Sequence, residues 1–186
     1  MKVLLVTVPV EAYTKSAYER EIQGKEVFST VSRSEGVLPI IPKIAIVSIV
    51  KYMQKAGYAN EDIDFYDVDM LQPSDAEFKA YLSKTKPDVI GLSAVVSTCY
   101  SQVKRLAPLT REALPNALIV MGGSLSASAN VVLRKTKVDI CAVGDGEITW
   151  LELLKAYRND GMTIRHETLR RVKGLALVAP GKLEFT

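Results

Sequence analysis

KPDVIGLSAVVSTCY, running from Lys86 to Tyr100, is the stretch whose reading decides the fold. A Lys-Pro-Asp breaker is followed by Val89–Val96, a run with Ser93 as its one polar residue, and then by hydroxyl residues. Apolar residues without polar alternation mark a strand covered on both faces, as in a parallel sheet. A helix is expected over Tyr100–Leu114, kinked at Pro108. The same strand-then-helix unit recurs in both directions. Upstream, Lys2–Val8 is a valine-rich strand stopped by Pro9. Pro42 opens a helix as a first-turn proline, with Ile46, Ile49, Val50 and Met53 at helical spacing and Gly57 closing it. Ile63–Val68 is the next strand, and Ser74 caps a polar helix running to about Lys84. Downstream come a strand at Ala117–Met121 and a short helix started by Ser126 or Asn130 and ending near Lys135. A strand at Asp139–Val143 follows, then a helix at Glu147–Arg158 with Trp150, Leu151, Leu153 and Leu154 as its apolar bulk.

Five β-α repeats joined by right-handed crossovers give a parallel sheet with helices on both faces. The expectation is an α/β, flavodoxin-like (Rossmann-type) doubly wound fold, with a five-stranded parallel sheet of order 2-1-3-4-5. Residues 174–186 read as two short strands around Pro180–Gly181, a C-terminal β-hairpin appendage to a domain covering residues 1–173. Pro9–Pro39 is a long stretch of mixed charge, in which Tyr13–Gln23 has the makings of a short helix. A loop of that length inside a compact domain tends to carry function.

Composition narrows the function classes. The chain has 186 residues, 48% of them apolar and 24% charged, with a net charge of +3. That excess is too small and too scattered for a nucleic-acid stripe. No apolar run approaches the roughly 18 residues of a membrane span. The N-terminus lacks the features of a signal peptide. Cys99 and Cys141 lie in different elements and form no metal-binding spacing, so both are expected to be reduced thiols in a cytoplasmic protein.

In open sheets of this kind, ligands sit beyond the carboxyl ends of the strands at the point where strand order reverses. Four loops reach it: Pro9–Ile41, Ser93–Cys99, Met121–Ala127 and Gly144–Glu147. They hold no GxGxxG after the first strand and no Walker lysine motif, and Ser93 stands where a phospho-receiver aspartate would be. The single histidine, His166, lies past the last strong helix and reads as a surface residue. No catalytic residue and no metal ligand is therefore assigned. What the loops do hold is Ser93 and Val95 at the end of the third strand and Gly122-Gly123 at the end of the fourth. Glycines allow a bulky ligand to lie against bare backbone, and a serine hydroxyl bonds to a ring nitrogen. Ser97 and Thr98 read as helix caps close enough to touch such a ligand. Glu147 starts a helix, where the dipole favours a carboxylate.

Ser93-Ala94-Val95, with 26 residues between Val95 and the Gly122-Gly123 pair, resembles the second and third parts of the cobalamin-binding signature. The first part, Asp-x-His-x-x-Gly, is absent, and Val37–Pro42 is apolar where it would fall. The order Lys86–Ser93, Met121–Gly123, Val138–Thr149 and Gly174–Ala176 resembles the N-terminal domain of cobalamin-dependent radical SAM proteins of the magnesium-protoporphyrin monomethyl ester cyclase type. The resemblance implies base-off cobalamin without a protein histidine ligand. It implies contacts from Ser93, Val95, Ser97, Thr98, Gly122, Gly123, Ser124, Gly144, Gly146 and Glu147, and apolar cover of the lower face by Ile41 and Pro42. S-adenosylmethionine and a [4Fe-4S] cluster would belong to a radical SAM domain joined in cis after the hairpin, which this sequence does not contain. The fragment alone would not turn over, while its parent would be an oxidoreductase or methyltransferase. Departures from the family pattern are Ser124-Leu125 after Gly-Gly and Gly-Asp-Gly-Glu at Gly144–Glu147. A degenerate docking domain without cobalamin and a stand-alone flavin or nucleotide binder are the other readings.

Overall fold

The structure is a computed structural model that describes residues 1–9, 43–179 and 181–186. The expectations for Tyr13–Gln23, for the Pro9–Pro39 loop, for Pro42 as a helix opener and for Ile41 and Pro42 as apolar cover fall on residues 10–42, outside those described.

Seven strands form one sheet: β1 (Val3–Thr7), β2 (Ile63–Asp67), β3 (Val89–Ser93), β4 (Leu118–Gly122), β5 (Ile140–Ala142), β6 (Leu175–Ala179) and β7 (Lys182–Phe185). Their order is β2-β1-β3-β4-β5-β6-β7. The first five pair in parallel in the expected order, and the reversal lies between β1 and β3. β6 pairs antiparallel with β5, and β7 antiparallel with β6. The C-terminal hairpin therefore continues the sheet rather than standing off it.

The helices are α1 (Ile44–Lys55), α2 (Val68–Leu71), α3 (Asp75–Thr85), α4 (Tyr100–Ala113), α5 (Ala129–Lys135), α6 (Gly146–Asn159) and α7 (His166–Leu169). Strand residues alternate between two cores. Leu4, Val6, Ile90, Leu92, Ile119 and Met121 face Phe78 and Leu82 of α3, Val103 and Leu106 of α4 and Val132 of α5. Val3, Leu5, Val89, Leu118, Val120 and Ile140 face Ile46 and Met53 of α1, Trp150 and Leu153 of α6 and Leu169 of α7.

Local chemistry sets the boundaries. Ser74 and Glu77 form a full capping box at the start of α3. Gly57, at φ +87°, stands just past α1 where the sequence placed the stop. Some boundaries differ from the sequence expectation. β3 ends at Ser93, not Val96, because its neighbours end level with it: Thr7 pairs with Ser93, and Ser93 with Gly122. Val68 opens α2, since Asp67 accepts from the Met70 N–H and turns the chain. Ser97 and Thr98 are not side-chain caps. They lie exposed in a 3-10 turn, Ser97–Cys99, that runs straight into α4. Another 3-10 turn, Ser124–Ser128, precedes α5, which begins at Ala129 without a side-chain cap. Pro108 sits inside α4 without ending it. Both cysteines are buried free thiols, and burial pushes Cys141 up to about 12. No helix among the described residues is long and apolar enough to cross a membrane.

Candidate functional site

Four strands end at one level. Asp67, Thr7, Ser93 and Gly122 form a row across β2, β1, β3 and β4 at the carboxyl edge. Pleat alternation puts the row on the α1 and α6 side of the sheet, because residues two and four positions back (Leu5 and Val3, Val89, Val120 and Leu118) face that core. One step below the row, Gly91 makes room for a ring. A Cβ there would lie 2.8 Å from Trp150 Cη2 and 3.0 Å from Leu5 Cδ2. The Trp150 indole N–H donates to Met53 Sδ at 3.3 Å, so Trp150 is a core residue, as its sequence context suggested. It closes the space beneath the row.

At the row itself the space is open. Among the described residues, a Cβ on Gly122 would meet no atom within 4 Å, and Gly122 is not among the left-handed glycines. Neither packing nor backbone conformation requires a glycine there. Gly123 differs: its φ is +92°, and a Cβ would lie 2.4 Å from the Ala94 carbonyl oxygen. The bare backbone lets Ala94 N–H donate to Gly122 O at 2.9 Å and Leu125 N–H to Ala94 O at 3.2 Å. Gly123 thus locks the β3 and β4 loops together, and Gly122 is left facing the opening.

Polar groups line the β1–β2 end of the row. The buried Thr7 hydroxyl donates to Asp67 Oδ1 at 2.6 Å, and Lys43 Nζ pairs with Asp69 Oδ2 at 2.6 Å. The sequence reading missed this cluster. The one signal was a threonine closing an otherwise apolar strand.

The β5–α6 loop supplies the third side. Gly144 has φ +88°, and among the described residues a Cβ there would meet nothing within 4 Å; a Cβ on Gly146 would lie 3.7 Å from Ile49 Cδ1. The Ser48 hydroxyl donates to Glu147 Oε1 at 2.6 Å. That bond and the backbone N–H of Glu147 hold its carboxyl below the usual range. Glu147 lies in the first turn of α6, one residue after the helix begins at Gly146, and it also ties α6 to α1. The remaining predicted contacts, Val95, Ser97, Thr98 and Ser124, are all exposed on the β3 and β4 loops at the same edge.

No metal-holding cluster of His, Cys, Asp or Glu occurs among the described residues. His166 is half-buried beside Glu184, with its Nδ1 enclosed and without a hydrogen-bond partner among the described residues, and it lies away from the row. A hollow of about 340 Å³ near Asp88, Asn116 and Tyr157 opens at the opposite, amino edge of the sheet.

The family described as "B12 binding domain" matches residues 36–154, well over half of the chain. The anaerobic magnesium-protoporphyrin IX monomethyl ester cyclase of Cereibacter sphaeroides is 31% identical over 128 residues, 68% of this chain and 20% of that protein. The cobalamin-dependent radical SAM methyltransferase TokK of Streptomyces tokunonensis is 36% identical over 77 residues, 40% of this chain and 11% of that protein. Among solved structures, the apo cobalamin-dependent S-adenosylmethionine radical enzyme OxsB aligns over 100% of this chain and 22% of its own, with TM-score 0.65 and 16% identity, a likeness of fold. The chain spans a fifth or less of the length of these two sequence relatives. Ser93 and the paired glycines Gly122 and Gly123 of the switch-point edge lie within the matched residues, and the chain belongs to the B12-binding domain family.

Proposed function

We propose that this chain binds cobalamin in the base-off form at the carboxyl edge between β1 and β3, as the cofactor module of a radical SAM iron–sulfur enzyme. The observation that carries the reading is the row Thr7–Ser93–Gly122, open where Gly122 lacks a side chain and floored by Trp150. The nucleotide tail of the cofactor enters this opening. The Ser93 hydroxyl is its hydrogen-bond partner, and Gly122 leaves the width it needs. Gly123, Ser124, Val95, Ser97 and Thr98 flank the opening on one side, and Gly144, Gly146 and Glu147 on the other. The sequence has one histidine, His166, and it lies off the row, so the cobalt takes no lower ligand from a histidine of this chain. Bound cobalamin supplies cobalt–carbon chemistry, methyl transfer or a radical reaction. The residues of this chain hold it, orient it and keep water from one face. The iron–sulfur cluster and S-adenosylmethionine belong to a further domain in cis, and that assignment rests on the relatives being several times longer.

The test is a UV–visible titration with hydroxocobalamin and with cob(II)alamin, repeated on Ser93→Leu and Gly122→Val. Saturable binding with a base-off spectrum, lost in both variants, is expected. Binding that survives both variants would remove the opening from the site. No binding by a folded wild-type chain would overturn the reading.

A further inference from the structure

The hollow at the amino edge lies at the opposite end of the strands from the Gly122 opening. Its walls among the described residues are residues 86–88 leading into β3, residues 113–117 leading into β4 and, from α6 and the turn after it, Tyr157 and Met162. β3 runs four residue steps, about 13 Å, from this edge at Val89 to the row at Ser93. Residues 10–42 leave the described chain beside Ser93 and rejoin it at Lys43, which pairs with Asp69 past the end of β2, so both junctions are at the carboxyl edge. The volume of about 340 Å³ is enough for a small organic molecule.

Tyr157 is the residue that sets this hollow apart. It is 4% exposed, with its ring packed into the core on the α6 face. Its hydroxyl makes no hydrogen bond among the described residues. The oxygen is not sealed in either: Ser101 Oγ and His166 Nδ1 are the enclosed unpartnered side-chain atoms, and the Tyr157 oxygen stands on the wall of the hollow. A polar atom carried to a cavity on a buried ring and left without a protein partner is satisfied by whatever enters the cavity. Burial first, then the carboxylates of Asp88 and Asp139, push the hydroxyl above its ordinary range, so at neutral pH it is uncharged and free to accept. The surrounding groups are acceptors as well. Asp88 takes the Lys2 backbone N–H on Oδ2 at 2.7 Å, which leaves Oδ1 without a partner among the described residues. Helices α3, α4 and α6 all end at this edge, and helix C-termini favour positive charge. The Arg111 guanidinium is spent on Asp139 and on the carbonyls of Pro115 and Ala117. Lys86 is exposed just past α3, where its charge complements that helix end. Pro87, Leu114 and Met162 supply an apolar wall, and the bond from Met162 N–H to Tyr157 O at 2.9 Å brings Met162 beside the tyrosine.

We infer that the amino-edge hollow is a second ligand site, which takes a small organic ammonium compound: the charged nitrogen donates to the Asp88 carboxylate and the Tyr157 hydroxyl, and the apolar body lies against Pro87, Leu114 and Met162. The site is separate from the cobalamin opening and does not depend on it.

The test is a nitrogen-15 NMR titration of the 186-residue chain with benzylamine, and with benzyl alcohol and benzoate as the uncharged and anionic analogues of the same size. Benzylamine is expected to shift the amides of residues 86–88, 113–117, 157 and 162 saturably, to leave those of Ser93 and Gly122 in place, and to bind at least about tenfold more tightly than either analogue. Two variants keep the shape of the hollow and change one group each. Asp88→Asn removes the charge and retains an acceptor for the Lys2 N–H; Tyr157→Phe removes the hydroxyl and retains the ring. Each is expected to weaken benzylamine about tenfold. The comparison of the three probes on wild type decides the matter by itself if either variant fails to fold. Benzoate or benzyl alcohol binding as well as benzylamine would overturn the inference, as would shifts that do not saturate or that map to the carboxyl edge. Unchanged affinity in both folded variants would overturn it as well. None of these results bears on cobalamin, whose titration reads the other end of the strands.

Discussion

Gly123 has φ +92° and ψ −179°, a region that only glycine enters readily, and its missing Cβ would overlap the Ala94 carbonyl. Conformational cost of about 1–3 kcal/mol and the overlap act together in Gly123→Ala. Chemical denaturation should show a loss of about 3 kcal/mol or more. Gly122→Ala should unfold at the wild-type midpoint, because its Cβ meets none of the described residues within 4 Å. Equal destabilisation by the two would show that Gly122 also serves the fold. The pair was legible in the sequence as Gly-Gly after a strand. Its division of labour was not, since that depends on the carbonyl of Ala94 lying across the turn. The same limit applied to Ser97 and Thr98. Hydroxyls before a helix read as caps, but the intervening 3-10 turn supplies the backbone bond from Cys99 N–H to Val96 O.

At the scale of elements, α1 and α6 are joined at their carboxyl-edge ends by Ser48 and Glu147. A carboxylate whose folded pKa is lowered contributes stability that is complete above its unfolded value and lost as pH falls through the folded one. The melting-temperature difference between wild type and Glu147→Gln should therefore be largest near neutral pH and shrink as pH falls below the ordinary glutamate range. A difference that stays constant with pH would show that the charge contributes nothing. Strands and helices were readable from the sequence because their apolar periods are long: Val89–Leu92 is continuous and α1 repeats at helical spacing. Strand ends were less so, because β3 stops where its neighbours stop rather than where its own apolar run does. Arg111 was not readable at all. It donates to the carbonyls of Pro115 and Ala117 and to Asp139 Oδ2, which also accepts from Ile119 N–H, and so clasps the start of β4.

For the whole molecule, the hairpin is the part whose weight the sequence understated. Thirteen residues at the end of a chain look dispensable, yet Leu175, Ala176, Leu177 and Ala179 are almost completely buried. Val143 N–H donates to Gly174 O at 2.7 Å, and Arg170 binds Glu184 through two nitrogens at 2.8 Å. A buried leucine is worth about 2 kcal/mol, so a chain ending at Lys173 would lose more than a small domain can spare and expose the edge of β5. It should lose cooperative thermal unfolding by circular dichroism. A sharp melt near the wild-type temperature would show that residues 1–173 fold alone. The two reversals in β6 and β7 have another consequence. β6 carries the chain down from Leu175, beside Ala142, and β7 brings it back up to Thr186, whose N–H bonds to Leu175 O. Met1 lies at the far edge, with its amino group 3.8 Å from Asp62. A resin or fluorophore attached at Met1 would leave the opening at Gly122 unobstructed, whereas any cargo fused to Thr186 would start out at the same edge of the sheet as that opening, three strands along from β4.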